Sequence, residues 1–244
     1  MSTLSAPEER LARLVTQLDS DARYATGSRR FPGHVTRDDA VAIAGALADE
    51  FDEGVQARAA LAAKQGHQIA CDIGCHRCCT VVVMAFAPEA LRVARFLQQP
   101  ENSVERDQFL AQHPTWRATL GDEVERLPTS FKSDRPAEYD ALHMRLWRKG
   151  ALCAFNHAGV CSIYPVRPIA CRNAHALDTD ARCVPDPPDG KPAAAVDFVP
   201  LRQFLDRATR LLRATHNATP GHTSASQRHH NDALCSAVYR LLTT

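Results

Sequence analysis

The sequence has no long hydrophobic run, no excess of charge of one sign and no secretory leader. No stretch approaches the ~18 to 20 apolar residues of a membrane span, and the opening MSTLSAPEERLARL has no apolar core of a signal peptide. With 29 Lys and Arg against 28 Asp and Glu, the formal net charge of +1 gives no electrostatic footprint for nucleic acid or anionic membrane. We therefore expect a cytoplasmic protein with neither nucleic acid nor membrane among its partners.

The common catalytic motifs are also missing. The chain shows no paired-carboxylate site, no Ser-His-Asp order and no glycine-rich phosphate loop. What it has instead is nine cysteines, unevenly placed. A disulfide scaffold belongs to a short secreted chain, whereas 244 residues can bury a core without one. Clustered thiols in a reducing compartment are more often metal ligands.

The hydrophobic pattern predicts a mainly α protein, with a helical shell around irregular cysteine-rich loops and little β-structure. Thr36 and Asp39 form a capping-box pattern before a helix that Gly66 ends. A β-branched run, TVVVMAF, precedes a helix with Pro88 in its first turn. The apolar stripe of the first of these helices comprises Ala40, Ile43, Ala44, Leu47, Phe51, Val55 and Ala59.

Further helices are predicted over residues 101–149, 201–212 and 226–242. Those of 101–149 should break near Pro114, Gly121 and Pro128, with Pro136 opening the last one. We divide the chain into an N-terminal helical region (1–70), a cysteine-cluster core (71–184) and a C-terminal loop with helices (185–244), within one domain overall.

The cysteines fall into two segments that we treat as one metal-binding constellation. Thiolates are preferred ligands of zinc and of iron-sulfur clusters. The first cysteine segment (71–79) contains Cys75-x2-Cys78, a spacing that lets a tight turn direct two sulfurs at one ion. The second cysteine segment (153–183) has wider gaps than a zinc knuckle. The predicted metal ligands are Cys71, Cys75, Cys78, Cys79, Cys153, Cys161, Cys171 and Cys183.

Two questions about these ligands stay open. A compact trio completed by a distant cysteine is more typical of an iron-sulfur cluster, which we favour, while zinc remains the alternative. Adjacent residues of an extended segment point to opposite sides, so Cys78 and Cys79 indicate either two centres or one thiol that is not a ligand. We expect at least one centre with ligands from both segments, although the four thiols of 153–183 could form a site alone. Cys235 lies on a predicted amphipathic helix and is expected to be a core thiol.

Two stretches, CHRCCTVVVMAFAPEALRVARFL and CAFNHAGVCSIYPVRPIACRNAHALDTDARC, resemble the YkgJ-like cysteine-cluster family, also described as CxxCxxCC or putative zinc- or iron-chelating domains. The resemblance covers about residues 71 to 184, and the ligands it implies are Cys75, Cys78, Cys79, Cys153, Cys161, Cys171 and Cys183. Cys71 departs from it, with three residues rather than two before Cys75. A related cysteine cluster occurs in flagellin lysine methylases.

Two classes of function therefore compete. The first is a metal-binding module for metal handling, redox or assembly, for which a protein partner is a candidate alongside the metal ion or cluster. The second is an iron-sulfur enzyme that modifies a protein or small molecule, either methylase-like or, from the Cys71-x3-Cys75-x2-Cys78 spacing, similar to radical S-adenosylmethionine enzymes. An enzyme of the radical S-adenosylmethionine type would require repeated strand-helix units after this motif, whereas the sequence predicts mostly helices.

Arg167 is a candidate counter-ion for thiolates, with an ordinary surface arginine in a turn as the alternative.

Overall fold

The computed structural model describes residues 36–71, 74–130, 136–191, 199–215 and 231–244. The fold of these described residues is mainly α, as predicted, with 66% of them in helices, 7% in strands and two small sheets. The predicted helical segments before residue 36 lie outside the described residues, and the division into three regions stays a prediction. None of the described helices is both long enough and apolar enough to cross a membrane. The helices and strands of the described ranges are α1 (Arg37–Lys64), β1 (Met84–Phe86), α2 (Ala87–Gln98), α3 (Ser103–Leu120), α4 (Leu127–Ser130), α5 (Pro136–Arg148), β2 (Asn156–His157), β3 (Val160–Cys161), α6 (Ile169–Asn173), α7 (Val199–Thr215), β4 (Asn231–Ala233) and α8 (Leu234–Thr243).

Helix α1 begins and ends where the sequence predicts. The Thr36 hydroxyl accepts from Asp39 N at 3.1 Å, and the Asp39 carboxylate accepts from Thr36 N at 2.8 Å, which completes the capping box. Gly66 follows the helix with a φ of +80°, a conformation that favours glycine. The predicted stripe is buried from Ala40 to Phe51 but Ala59 is exposed, so the prediction is wrong at that position.

Helix α3 corrects the prediction of a break at Pro114. The helix continues through this proline to Leu120, and Gly121, with a φ of +69°, ends it instead. A proline inside a helix costs ~3 kcal/mol or more. Phe109 and Trp116 are both buried on either side of it, and the packing of these side chains offsets that cost.

A strand replaces the start of the predicted C-terminal helix. Asn231–Ala233 forms β4 and pairs antiparallel with β1, in a register that places Met84 opposite Ala233. The helix begins only at Leu234, so the prediction of helix over 231–233 is wrong; residues 226–230 lie outside the described residues. Pairing with a strand some 150 residues earlier leaves no trace in local periodicity.

The second cysteine segment packs against two hydrophobic clusters. The larger cluster contains Phe155 and Ile163 together with buried side chains of α2, α3 and α8. The smaller joins Ile169 to the buried faces of α1 and α7. Phe155 also stacks on Phe109 of α3, with ring centroids 4.2 Å apart. The loops that carry Cys153, Cys161 and Cys171 are therefore anchored to both clusters, although they have little regular structure.

Buried His113 should make stability depend on pH. Its ring stacks on Tyr239 with centroids 4.0 Å apart, and burial, helped by Arg117 and Arg240, lowers its pKa from 6.5 to about 4. Because the unfolded chain takes up the proton at higher pH than the folded chain, stability is lost as pH falls through this window.

We expect His113→Phe, which keeps the stacking, to lose less stability than the wild type as the pH falls from 6.5 to about 4. Urea unfolding at several pH values measures the free energy of unfolding of both proteins. Burial raises the pKa of Asp232 to about 6, which favours the folded state at low pH, but this contribution is common to both proteins and cancels in the comparison. An equal decline in variant and wild type would contradict the assignment.

Candidate metal centre

The first cysteine segment turns tightly at Cys78 and Cys79. Arg77–Thr80 forms a single 3-10 turn, in which Cys79 N donates to the His76 carbonyl at 3.0 Å. The expectation of an extended segment is wrong here. Successive side chains of a 3-10 turn diverge by about 120° rather than 180°, and the thiols of Cys78 and Cys79 form a hydrogen bond with each other.

The start of the first segment packs along the end of the second. Ile69 and Leu177 form an antiparallel bridge, with Ala70 N donating to the Ala176 carbonyl at 2.9 Å. Cys71 Sγ accepts from Ala176 N at 3.2 Å, so this sulfur is held at residues 174–176 of the second segment. It also lies 3.8 Å from the Ala174 carbonyl.

Two side-chain pairs strengthen this docking. His67 Nδ1 and Asp178 Oδ2 lie 2.7 Å apart, and Asp178 also accepts from Gln68 N at 2.9 Å. Arg77 Nε donates to Asp180 Oδ2 at 3.2 Å, and Cys183 N donates to the carbonyl of the same Asp180 at 2.9 Å. The turn that carries Cys183 is thereby tied to the turn that carries Cys78 and Cys79.

The end of the first segment meets the start of the second. Cys153 N donates to the Cys79 carbonyl at 2.8 Å, and the Asn156 side chain is hydrogen-bonded to the Cys79 thiol. Asn156 is only 2% exposed and lies opposite Cys161 in the β2–β3 hairpin. Its Oδ1 accepts from Gly159 N at 3.1 Å, which fixes the orientation of the amide within the hairpin. Asn156 therefore connects Cys79 to the hairpin that carries Cys161, and the backbone hydrogen bond joins Cys153 to Cys79.

Cys171 lies on α6, and the buried carboxylate of Glu89 holds the start of that helix. Glu89 Oε1 accepts from Ile169 N at 2.8 Å, while Oε2 accepts from Phe86 N at 2.9 Å. A single side chain thus caps both α2 and α6. Burial raises the pKa of Glu89, although both backbone donors oppose that shift.

Arg172 organises the loop between Cys161 and Cys171. Its guanidinium donates to the Arg167 carbonyl at 2.9 Å and to the Pro165 carbonyl at 2.8 Å, and pairs with Asp52 of α1. The Arg172 side chain is 4% exposed, so these partners replace water almost completely. The sequence does not predict this role, because nothing in the local stretch CRN shows which carbonyls the guanidinium reaches.

The thiols of the two segments act on one another electrostatically. Burial raises the pKa of Cys171, with further contributions from Cys153, Cys161 and Cys79. Burial likewise raises the pKa of Cys161 to about 11. The pKa of Cys183 is raised by burial and by its neighbours, which here are the first-segment thiols Cys71 and Cys75.

Cys78 and Cys79 behave as a pair, with one thiol holding the proton for the other. Their mutual hydrogen bond raises the pKa of Cys78 and lowers the pKa of Cys79 to about 6. Arg167 contributes to that lowering, as does the hydrogen bond from Asn156. The Arg167 guanidinium lies 4.0 Å over the ring of exposed Tyr164. Its influence on Cys79 favours the counter-ion role over that of an ordinary surface arginine.

Cys235 is buried, 4% exposed, as expected of a core thiol on α8. The structure adds a contact that the sequence does not predict, since Cys235 Sγ lies 3.7 Å from Cys153 Sγ. This contact is the main cause of the raised pKa of Cys153, ahead of burial. A helical pattern around residue 235 cannot show that the second segment passes beneath α8.

The donor set is chemically suited to zinc or an iron-sulfur cluster. All eight predicted ligands are free, half-buried thiols, and such soft donors favour these metals over magnesium or calcium. Within the described ranges, no three Cys, His, Asp or Glu side chains already stand close enough to enclose a metal ion. The ligand roles of these residues accordingly stay a prediction.

Comparison with known proteins gives no relative for this chain. No family model, no curated protein and no solved structure matches it. The resemblance to the cysteine-cluster family, drawn from the residues alone, stays a prediction.

Proposed function

We propose that the protein binds metal through cysteine thiolates of both segments, as an iron-sulfur cluster in preference to zinc. The observation that carries the proposal is the docking of the two segments at both ends. Cys79 is joined to Cys153 by a backbone hydrogen bond, and Cys71 accepts from the backbone beside Ala176. The two segments that carry the eight thiols thereby dock against each other, although about 70 residues or more separate them in the chain.

The energetics of the thiols support the same proposal. Buried thiols raise one another's pKa because each thiolate disfavours the next in a poorly solvated environment. A cation supplies the missing positive charge and stabilises deprotonated sulfur. Arg167 lowers the pKa of Cys79 and Cys161, and Arg77 lowers the pKa of Cys183, but these two guanidinium charges do not balance eight thiolates.

The metal content of the purified protein tests the proposal directly. Protein purified without oxygen should contain iron with acid-labile sulfide and broad visible absorbance, or zinc without colour. Cys235→Ala should keep the wild-type content, because this thiol belongs to neither cysteine segment. Wild-type protein that is folded, contains neither metal and titrates with all its thiols reactive would overturn the proposal.

A role in metal handling, redox or assembly with a protein partner is the function we favour for this metal site. Leu152, Val160 and Tyr164 are large apolar residues that are 41%, 65% and 53% exposed, and each lies within three residues of a proposed ligand. These exposed side chains are available for contact with a protein partner at the proposed site. We place this activity in the cytoplasm, since a reducing compartment keeps such thiols free for metal.

A further inference from the structure

We infer that Cys153 and Cys235 are a redox-active thiol pair, which a small-molecule disulfide such as glutathione disulfide oxidises to an intramolecular disulfide. Their sulfurs lie 3.7 Å apart, in direct contact although 82 residues separate them in the chain. Both cysteines are free in the structure. A disulfide bond is about 2.05 Å long, so the sulfurs need to approach by roughly 1.6 Å, a shift that rotation of the two side chains supplies.

The stretch of chain between the 3-10 turn and β1 holds both cysteines in place. Cys153 N donates to the Cys79 carbonyl at 2.8 Å, and Leu234 N donates to the Val83 carbonyl at 2.9 Å. Because Leu234 begins α8, Cys235 lies in the first turn of a helix whose start is fixed at this stretch. The contact between the two sulfurs therefore follows from backbone hydrogen bonds and not from the rotation of two mobile side chains.

The two thiols differ in their access to solvent, and this difference assigns each a role. Cys153 is partly exposed and follows Leu152, which is 41% exposed, whereas Cys235 is only 4% exposed. Buried thiols are inert toward reagents in solution. The oxidant therefore reacts first with Cys153, and Cys235 reacts second, with a sulfur that already lies against it.

Thiol-disulfide exchange oxidises the pair in two steps. The Cys153 sulfur attacks one sulfur of glutathione disulfide, whose S–S bond breaks; a mixed disulfide forms, and one glutathione leaves as a thiol with the Cys153 proton. The Cys235 sulfur then attacks the Cys153 sulfur, the intramolecular S–S bond forms, and the second glutathione leaves with the Cys235 proton. The pair loses two electrons and two protons, and glutathione disulfide gains them.

Oxidation of the pair has a consequence for metal that rests on the proposed function. Cys153 is one of the proposed ligands, and a sulfur in a disulfide is no longer a thiolate that binds a cation. Metal and disulfide therefore exclude each other at Cys153. Disulfides of cytosolic proteins are usually transient and respond to the redox state of the compartment, so the pair would couple metal binding to that state.

The cross-link can be measured on the full-length wild type. Metal is removed by anaerobic chelation, and the folded protein is treated with glutathione disulfide, blocked with iodoacetamide and digested with trypsin. Peptide 229–240 has Cys235 as its single cysteine, and we expect mass spectrometry to find it joined to peptide 150–172. A further cut after Phe155 places the link at Cys153. Peptide 229–240 recovered without a link, or linked to another cysteine, would overturn the inference.

Matched variants test the order of the two steps. In Cys235→Ala the mixed disulfide meets no second thiol, so Cys153 should retain a bound glutathione. In Cys153→Ser the buried Cys235 should stay unmodified. Circular dichroism shows whether each variant is folded. Glutathione attached to Cys235 in folded Cys153→Ser would contradict the assigned order.

The protein with its metal bound separates this inference from the proposed function. The cross-link should form more slowly than in chelated protein, because the metal holds Cys153 as a thiolate ligand. Equal rates would show that Cys153 is not a ligand and would remove the coupling between metal and disulfide. Wild-type protein that carries no metal would overturn the proposed function, while its peptide map would still decide whether the pair is redox-active.

Discussion

Removal of the metal should lower the thermal midpoint by on the order of 10 °C. A centre that joins Cys79 to Cys153 closes a loop of about 70 residues, which in the chain-entropy description of cross-links stabilises a fold by roughly 4 kcal/mol. For a chain of this size, each kcal/mol corresponds to ~2–4 °C in the midpoint. Chelation and Cys78→Ser are both expected to show the decrease, measured by differential scanning calorimetry.

The matched control is Cys235→Ala, which removes a buried thiol outside the proposed ligand set. We expect it to shift the midpoint only by the small amount that a lost sulfur costs in a core, and to leave the response to chelator unchanged. If Cys78→Ser and Cys235→Ala lowered the midpoint equally, Cys78 would be an ordinary packing residue and the coupling of metal to stability would have no support.

Arg172→Met should be the most damaging substitution outside the cysteines. It removes the donor to the partly buried carbonyls of Arg167 and Pro165, and an acceptor left unpaired costs about 1–3 kcal/mol. Asp52 is about half exposed and can return to water, so the total loss is expected near 3–5 kcal/mol. We also expect reduced metal content, since the loop between Cys161 and Cys171 loses its internal support.

Arg148→Met provides a surface control for that substitution. Arg148 makes a bidentate pair with Asp186 at 2.8 and 2.9 Å, but both side chains are more than half exposed. Such an exposed pair contributes little to stability because water screens it, and its loss should not change metal content. Urea unfolding and metal analysis of both variants give the comparison. Similar results for the two would show that Arg172 has no special role in the loop.

The elements that the sequence predicts correctly are those with local causes. The Thr36 and Asp39 side chains cap α1 through contacts three residues apart, and Pro136 opens α5 because its fixed φ suits a first turn. The predictions that are wrong depend on distant partners. Pro114 stays helical because of neighbours in the core, and Ala233 forms a strand because β1 lies beside it.

The same distinction between local and distant causes applies to the candidate site. The grouping of thiols is visible in the sequence, since composition alone makes nine cysteines stand out. The side chains that hold these thiols in place are not visible in the sequence. Glu89 contacts Ile169 and Asn156 contacts Cys79, and each pair is about 80 residues apart in the chain. Nor does spacing reveal that Cys78 and Cys79 lie in a 3-10 turn, because a turn of four residues has no periodicity to read.

The antiparallel docking of the two cysteine segments has a consequence for synthesis on the ribosome. Cys183 leaves the ribosome about 100 residues after Cys79, and at ~5–20 residues per second this interval is roughly 5 to 20 s. Until Cys153 emerges, about 70 residues after Cys79, the four nascent thiols of residues 71–79 have none of their counterparts from the second segment, and the full set is present only when Cys183 emerges. Under the proposed function, the early thiols must be kept reduced and away from stray ions, and correct metal loading has to wait until the later segment emerges and folds back.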